Sequence, residues 1–313
     1  MERVLAGTSI ASEAGKEAGG RRRGLSRLGP YAYLLPVLAI LGVFVYWPLV
    51  QTAILSLYEW NRVSPVKTYI GGRNYAELFG SRDFRLAAWN TLQYMFWILL
   101  GKGALPLIAA WAVAEITGPW HRIYRGVLFV PAVVSAAVAS LLWLWILNPI
   151  GGVLNGLLQV FGIQGPMWLS DPHWVVVALS AVGAWKGFGL SFILYLAGLV
   201  NIPQEYVEAA RVDGAGRWQI FWRITWPLLM PTTVFVALTS ALEAVQDVFV
   251  PIQMLTQGGP NQASTNLVYL IWEQGFQFFR TGLASATSVV VFAVFLVLAV
   301  WQIRVIDRRM REE

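Results

Sequence analysis

Gly126-Val-Leu-Phe-Val-Pro-Ala-Val-Val-Ser-Ala-Ala-Val-Ala-Ser-Leu-Leu-Trp-Leu-Trp-Ile-Leu-Asn-Pro-Ile-Gly-Gly152 opens a run that reaches Ser170 without one Asp, Glu, Lys or Arg. A helix needs roughly 20 apolar residues to cross about 30 Å of hydrocarbon. The part before Asn148 is long enough, and Asn148-Pro149 with Gly151-Gly152 is a turn signal that ends it. Moving outward, Leu86–Ala114 contains only Lys102 and Pro172–Gln204 only Lys186. Leu28–Tyr58, Ile224–Leu242 and Thr281–Ile303 contain no charge at all. The pattern predicts an all-α polytopic membrane protein with about six spans, near 32–57, 90–114, 125–147, 174–199, 227–250 and 282–303. Pro106, Pro131 and Pro251 are expected at kinks or span ends.

Composition agrees. Charged residues make up 13% of the chain, against about 25% in soluble domains, which leaves too few to cover a cytosolic enzyme. The 16 Trp and 29 Gly fit helices with interfacial aromatics and close packing. With no cysteine, disulfides, zinc–thiolate sites and Cys nucleophiles are excluded. His121 and His173 cannot form a metal cluster alone, so no metal site is expected. A six-span reading puts 15 Lys and Arg on the side shared by both tails and the 2–3 and 4–5 loops, against 6 on the other. The positive-inside rule then places both termini in the cytoplasm. Residues 1–29 read as a disordered basic tail rather than a cleaved signal, because the following apolar run far exceeds an h-region. Residues 30–305 form the transmembrane domain, and 306–313 a second cytoplasmic tail.

The 4–5 loop, 201–227, holds the most information. Pro203 suits a helix start, Gln204–Asp213 are fair helix formers, and Gly214 is a natural left-handed stop. Glu205 and Glu208 lie early, where the helix dipole favours negative charge, and Arg211 is spaced to pair with Glu208. Beyond Gly216, Trp218, Phe221, Trp222 and Thr225 recur at helical spacing and lead into span 5. The residues taken alone suit an interfacial linker. Ala209 and Ala210, small and set beside a glutamate and a glycine corner, also suit a helix that inserts into another protein's cleft.

Glu208-Ala209-Ala210, three residues, Gly214, nine residues, Ile224, one residue, Trp226 and Pro227 resemble the EAA loop of ABC importer permeases, EAA-x3-G-x9-I-x-L-P. Trp226 stands where that family usually has Leu. Other stretches resemble the same family: Asn74-Tyr75 with Asn90-Thr91; Gly152-Val-Leu-Asn155 with Trp168-Leu169-Ser-Asp171-Pro172; Leu196-Ala197-Gly198-Leu199; and Thr256-Gln-Gly258-Gly259-Pro260. They span about residues 30–305 and are similar to the carbohydrate-uptake branch, in the style of the maltose large-subunit and glycerol-phosphate permeases. A Gly-Ala-Val-Lys-like end, usual in the partner-subunit branch, is lacking.

The resemblance implies a bacterial or archaeal cell-membrane (inner-membrane) subunit whose coupling helix docks into an ATPase through Glu205, Tyr206, Glu208, Ala209, Ala210, Arg211, Asp213 and Gly214. It implies a second homologous permease, two ATP-binding cassette subunits that carry ATP and magnesium, and an extracytoplasmic solute-binding protein. This chain has no G-x4-G-K-[ST] and is expected to bind no cofactor itself. The lipid bilayer is the remaining partner, and no nucleic acid is expected.

Ionisable groups at membrane depth are costly and point to function by default. Glu243 and Asp247 share one helix face near Gln246, with Gln253 and Lys186 as further polar groups. A sugar needs such hydrogen-bonding partners, so these five are the candidate substrate contacts. The alternative is that Glu243 or Asp247 pairs with Lys102 or Lys186. Lys186 and Lys102 either face a cavity or snorkel. Two other functions make different demands on the sequence. A stand-alone secondary transporter or channel would show repeated halves, and a membrane enzyme would show a nucleophile–base pair or metal ligands. Neither feature is present, and neither function needs a docking helix.

Overall fold

A computed structural model describes residues 33–61, 63–114, 116 and 118–312. The expected N-terminal tail lies outside them. The described residues fall into two compact units, which divide between Ile54 and Leu55. In the first, α1 runs from Leu35 to Leu55, just into the second unit, and buries no residue.

The second unit begins with a hairpin, β1 (Tyr58–Glu59) and β2 (Thr68–Tyr69), and a short helix, α2 (Arg73–Gly80). Next comes α3, Arg82–Ala114, eight residues longer at its start than the expected span. Its entry is fixed by Ser81, whose hydroxyl accepts from the Asp83 and Phe84 amides. The third expected span is not one rod. It is α4 (Pro119–Val133) and α5 (Ala136–Ile146), bent by 102°. Pro131 removes an amide from the ladder, Val134 is extended, and the Ser135 hydroxyl caps α5 by accepting from the Val138 amide. The Asn148–Gly152 turn leads into α6, Val153–Val160. Then follow α7 (Val175–Val200), α8 (Gln204–Val212) and α9 (Arg217–Thr256), the last longer than its expected span at both ends. Finally α10 (Leu267–Trp272) continues as a π turn, Glu273–Gln277, and α11 runs from Thr281 to Glu312. Helix therefore continues through most of the expected C-terminal tail. Among the described residues, five helices are long and apolar enough to span alone, and the bent pair makes six.

Helices α3 and α7 run parallel, with α9 antiparallel to both, around two apolar clusters. One contains Tyr94 and Ile98 of α3, Val175 and Leu179 of α7, and Ala244 and Val248 of α9. The other contains Leu107 and Ala110, Phe192 and Tyr195, and Leu229 and Val236 from the same helices. Between the clusters the helices approach closely enough that a Cβ at Gly101 would overlap the Ala184 methyl. Small residues at such crossings permit the dispersion contacts on which helix association in lipid depends.

Polar side chains at the start of α3 and in the loops hold the loops to the bundle. Asn90 donates to the Gln262 and Thr265 carbonyls (3.1 and 3.0 Å), Tyr94 donates to the Ser264 carbonyl (2.8 Å), and the Thr91 hydroxyl accepts from the Leu267 amide (3.0 Å). Asn266 caps α10 through the Tyr269 amide and donates to the Val245 carbonyl. The Asn155 side chain accepts from the Trp168 indole at 2.6 Å, joining the two ends of the 3–4 loop. In the π turn after α10, Glu273 is buried and accepts from the Gln262 side-chain amide at 3.1 Å. Burial pushes its carboxyl above the usual range; the Gln262 bond opposes this and the charge of Asp83 adds to it.

Candidate functional site: the 201–227 loop and an intramembrane charge cluster

The 201–227 loop folds as its residues dictate. Pro203 sits at the N-cap of α8, Glu205 in its first turn and Arg211 in its last, each complementing the helix dipole. At the far end Gly214 takes φ +79°. The Ala215 amide returns to the Ala210 carbonyl (2.9 Å) and the Gly214 amide to Arg211 (3.1 Å), closing a glycine C-cap. Gln219 then accepts from the Gly216 amide and caps the start of α9.

No side chain of α8 is buried. Gln204, Val207, Glu208 and Arg211 border one cleft, while Tyr206, Ala209, Ala210 and Asp213 border another beside Arg223 and Pro227. All eight residues expected at the coupling site therefore lie on one exposed helix and its glycine end. The expected Glu208–Arg211 ion pair does not form; both side chains are exposed, where such a pair contributes little.

The second feature is ionic. Lys102 lies in a π turn of α3, Leu100–Ala104, and is 3% exposed. Its ammonium donates to Glu243 Oε2 at 2.6 Å and Asp247 Oδ2 at 3.2 Å, both on α9. The carboxylates remain 45% and 26% exposed. Gly187 of α7 forms the floor, because a Cβ there would overlap Lys102 Cε. Three helices thus meet at one ammonium. The pairing alternative is what forms, and it forms with Lys102; Lys186, half-buried, joins neither carboxylate within ion-pair distance. No hydrogen bond links Gln246 or Gln253 to the cluster among the described residues, although Gln253 Oε1 is buried without a partner, as is Ser240 Oγ one turn before Glu243. The roles of Lys102 and Gly187 were not separable from the sequence. The available signal was a lone lysine between two glycines in an otherwise uncharged span.

This arrangement offers no nucleophile–base pair, and no group of His, Asp and Glu among the described residues could hold a metal. It offers a bundle of spans, an exposed docking helix and a polar node at membrane depth. The family described as binding-protein-dependent transport system inner membrane component matches residues 102–312. The chain belongs to that family. The permease is 36% identical to a probable ABC transporter permease, YurN, of Bacillus subtilis (strain 168), over 89% of this chain and 96% of that one. It is 30% identical to the sn-glycerol-3-phosphate transport system permease UgpA of Agrobacterium fabrum, over 91% and 96%. A solved bacterial alginate ABC transporter, in complex with an alginate pentasaccharide-bound periplasmic protein, matches with a TM-score of 0.77 at 26% identity, covering 90% of this chain and 94% of that one. The permease is accordingly a membrane-embedded transport subunit of an ABC importer rather than an enzyme, and ATP hydrolysis belongs to a separate subunit. A stand-alone transporter is not favoured.

Proposed function

We propose that this permease forms half of an alternating-access path for a sugar or sugar-like solute, in the carbohydrate-uptake branch of the family. Its termini and the 201–227 loop face the cytoplasm, where α8 seats in an ATPase through Glu208, its neighbours and the Gly214 corner. A second homologous permease, two ATPases holding ATP and magnesium, and an external solute-binding protein complete the assembly. Glu243, Gln246, Asp247, Gln253 and Lys186 supply the polar lining met by the solute. Relatives whose names specify sn-glycerol-3-phosphate and alginate support the polyol and sugar class.

The observation that carries the reading is α8 itself. A nine-residue helix that buries nothing has too little intrinsic stability to hold alone and gains it from packing. A partner cleft supplies that packing, and the EAA spacing names the kind of partner. The test is affinity purification of the chain from its native membranes in mild detergent, followed by mass spectrometry. An ATPase and a second permease should copurify, and the ATPase should be lost in Glu208→Lys while membrane insertion persists. Recovery of the chain alone, with transport in vesicles that lack ATP, overturns the reading.

A further inference from the structure

The Lys102 cluster has a closed side and an open side. The lysine stem lies against the backbone of α7, where a Cβ at Gly187 would overlap its Cδ, Cε and Nζ. The ammonium is committed to Glu243 Oε2 and Asp247 Oδ2. Walled in by one helix and held by two acids of another, Lys102 is buried and cannot swing out to meet a bound molecule. The carboxylates face the other way and remain partly exposed. What this wall presents to the space beyond is therefore carboxylate oxygen, which accepts hydrogen bonds and donates none.

The neighbouring residues do not reverse this. Gln246, exposed between the two acids on α9, and Gln253, two turns further on, are uncharged amides. Lys186 is the one charged residue of α7. It precedes Gly187, so it projects about 100° around the helix from the contact with Lys102, and it pairs with neither acid. A phosphate or carboxylate brought to the wall meets like charge and finds the nearest ammonium already held behind two acids. A hydroxyl finds an acceptor.

We propose, on the reading that this wall lines the solute path, that the permease carries a hydroxyl-rich solute without negative charge, whose O–H groups donate to Glu243 and Asp247. In the charge of its solute it then departs from the relative named for sn-glycerol-3-phosphate and from the transporter of alginate, an acidic polysaccharide.

The chain has no cysteine, so Gln246→Cys places a single reporter thiol in the wall. The assembled transporter in detergent is treated with a cationic (trimethylammonioethyl) or an anionic (sulfonatoethyl) methanethiosulfonate, and modification of this chain is followed by intact-mass spectrometry. Adding Glu243→Gln should lower the cationic-to-anionic rate ratio about fivefold, the effect of one charge at about 8 Å in water acting oppositely on the two reagents. Asp247→Asn should act in the same direction. Glu59→Gln, exposed in the β1–β2 hairpin, should leave the ratio unchanged. A ratio unmoved by Glu243→Gln, or moved equally by Glu59→Gln, overturns the inference while the wall stays open to water. Failure of both reagents to react removes the wall from the path, and with it the reading on which the inference rests. Neither sn-glycerol-3-phosphate nor an alginate oligosaccharide should accumulate in liposomes holding the parent transporter, ATP and its binding protein, and uptake of either overturns the proposal.

Discussion

At the scale of single residues, Lys102 governs the permease interior because one ammonium serves two carboxylates. Removing it leaves like charges on adjacent turns of α9. Breaking a fully buried pair costs about 3–5 kcal/mol, and the partial exposure of Glu243 lowers the expectation for Lys102→Met to about 2–3 kcal/mol. Adding Glu243→Gln and Asp247→Asn to that variant should restore most of the thermal midpoint of the purified complex. A parent-like midpoint for Lys102→Met alone, or no recovery in the triple variant, refutes the account. Glu273 gives a separate signature. Its carboxyl titrates above the ordinary glutamate range, so the folded state holds the proton more tightly than the unfolded state does. Its contribution to stability is then fullest below the ordinary glutamate value and is lost as pH rises through the raised one. Glu273→Gln should be matched with the parent in acid and become the more stable of the two toward neutral pH. Thermal midpoints of both proteins across pH read this directly, and parallel curves would contradict it.

At the scale of elements, the 201–227 loop was legible almost residue by residue, because helix starts and glycine stops are local chemistry. Gly214, read from the sequence as the left-handed stop, has positive φ, whereas Gly216, at φ −71°, is open to other residues. Gly214→Val should therefore cost about 1–2 kcal/mol locally and uncouple ATP hydrolysis from uptake. Gly216→Ala should leave coupling near the parent, and comparable uptake defects in both would refute the distinction. The broken third span was less legible. Pro131 announced a kink, but its 102° size arises from an extended Val134 and a serine that starts a new helix, a choice local propensity does not settle. The Lys102 cluster was legible only as a set of open alternatives, because pairing between residues 141 and 145 positions apart depends on how three helices cross.

For the whole molecule, the Lys and Arg asymmetry of 15 against 6 makes a topological prediction. A green fluorescent protein fused to the C-terminus should fluoresce, whereas a phosphatase inserted at Gly80 should be active; the reverse pattern would invert the permease in the membrane. The division of α4 from α5 has an effect on its surroundings as well. The Ala136 and Ala137 amides, in the first turn of α5, have no intrahelical acceptor, and the last carbonyls of α4, apart from Pro131, which accepts from the Val134 amide at 3.3 Å, have no helical donor. Hydrocarbon offers such groups nothing, and each left dry costs several kcal/mol. The gap at Val134–Ser135 must therefore be wetted or covered by protein, so that flank of the subunit cannot be part of its lipid-facing circumference. If water fills the gap, deuterium enters the Ala136 and Ala137 amides while the mid-helix amides of α11 stay protonated; if protein covers it, both stay protonated and a neighbouring subunit marks that side.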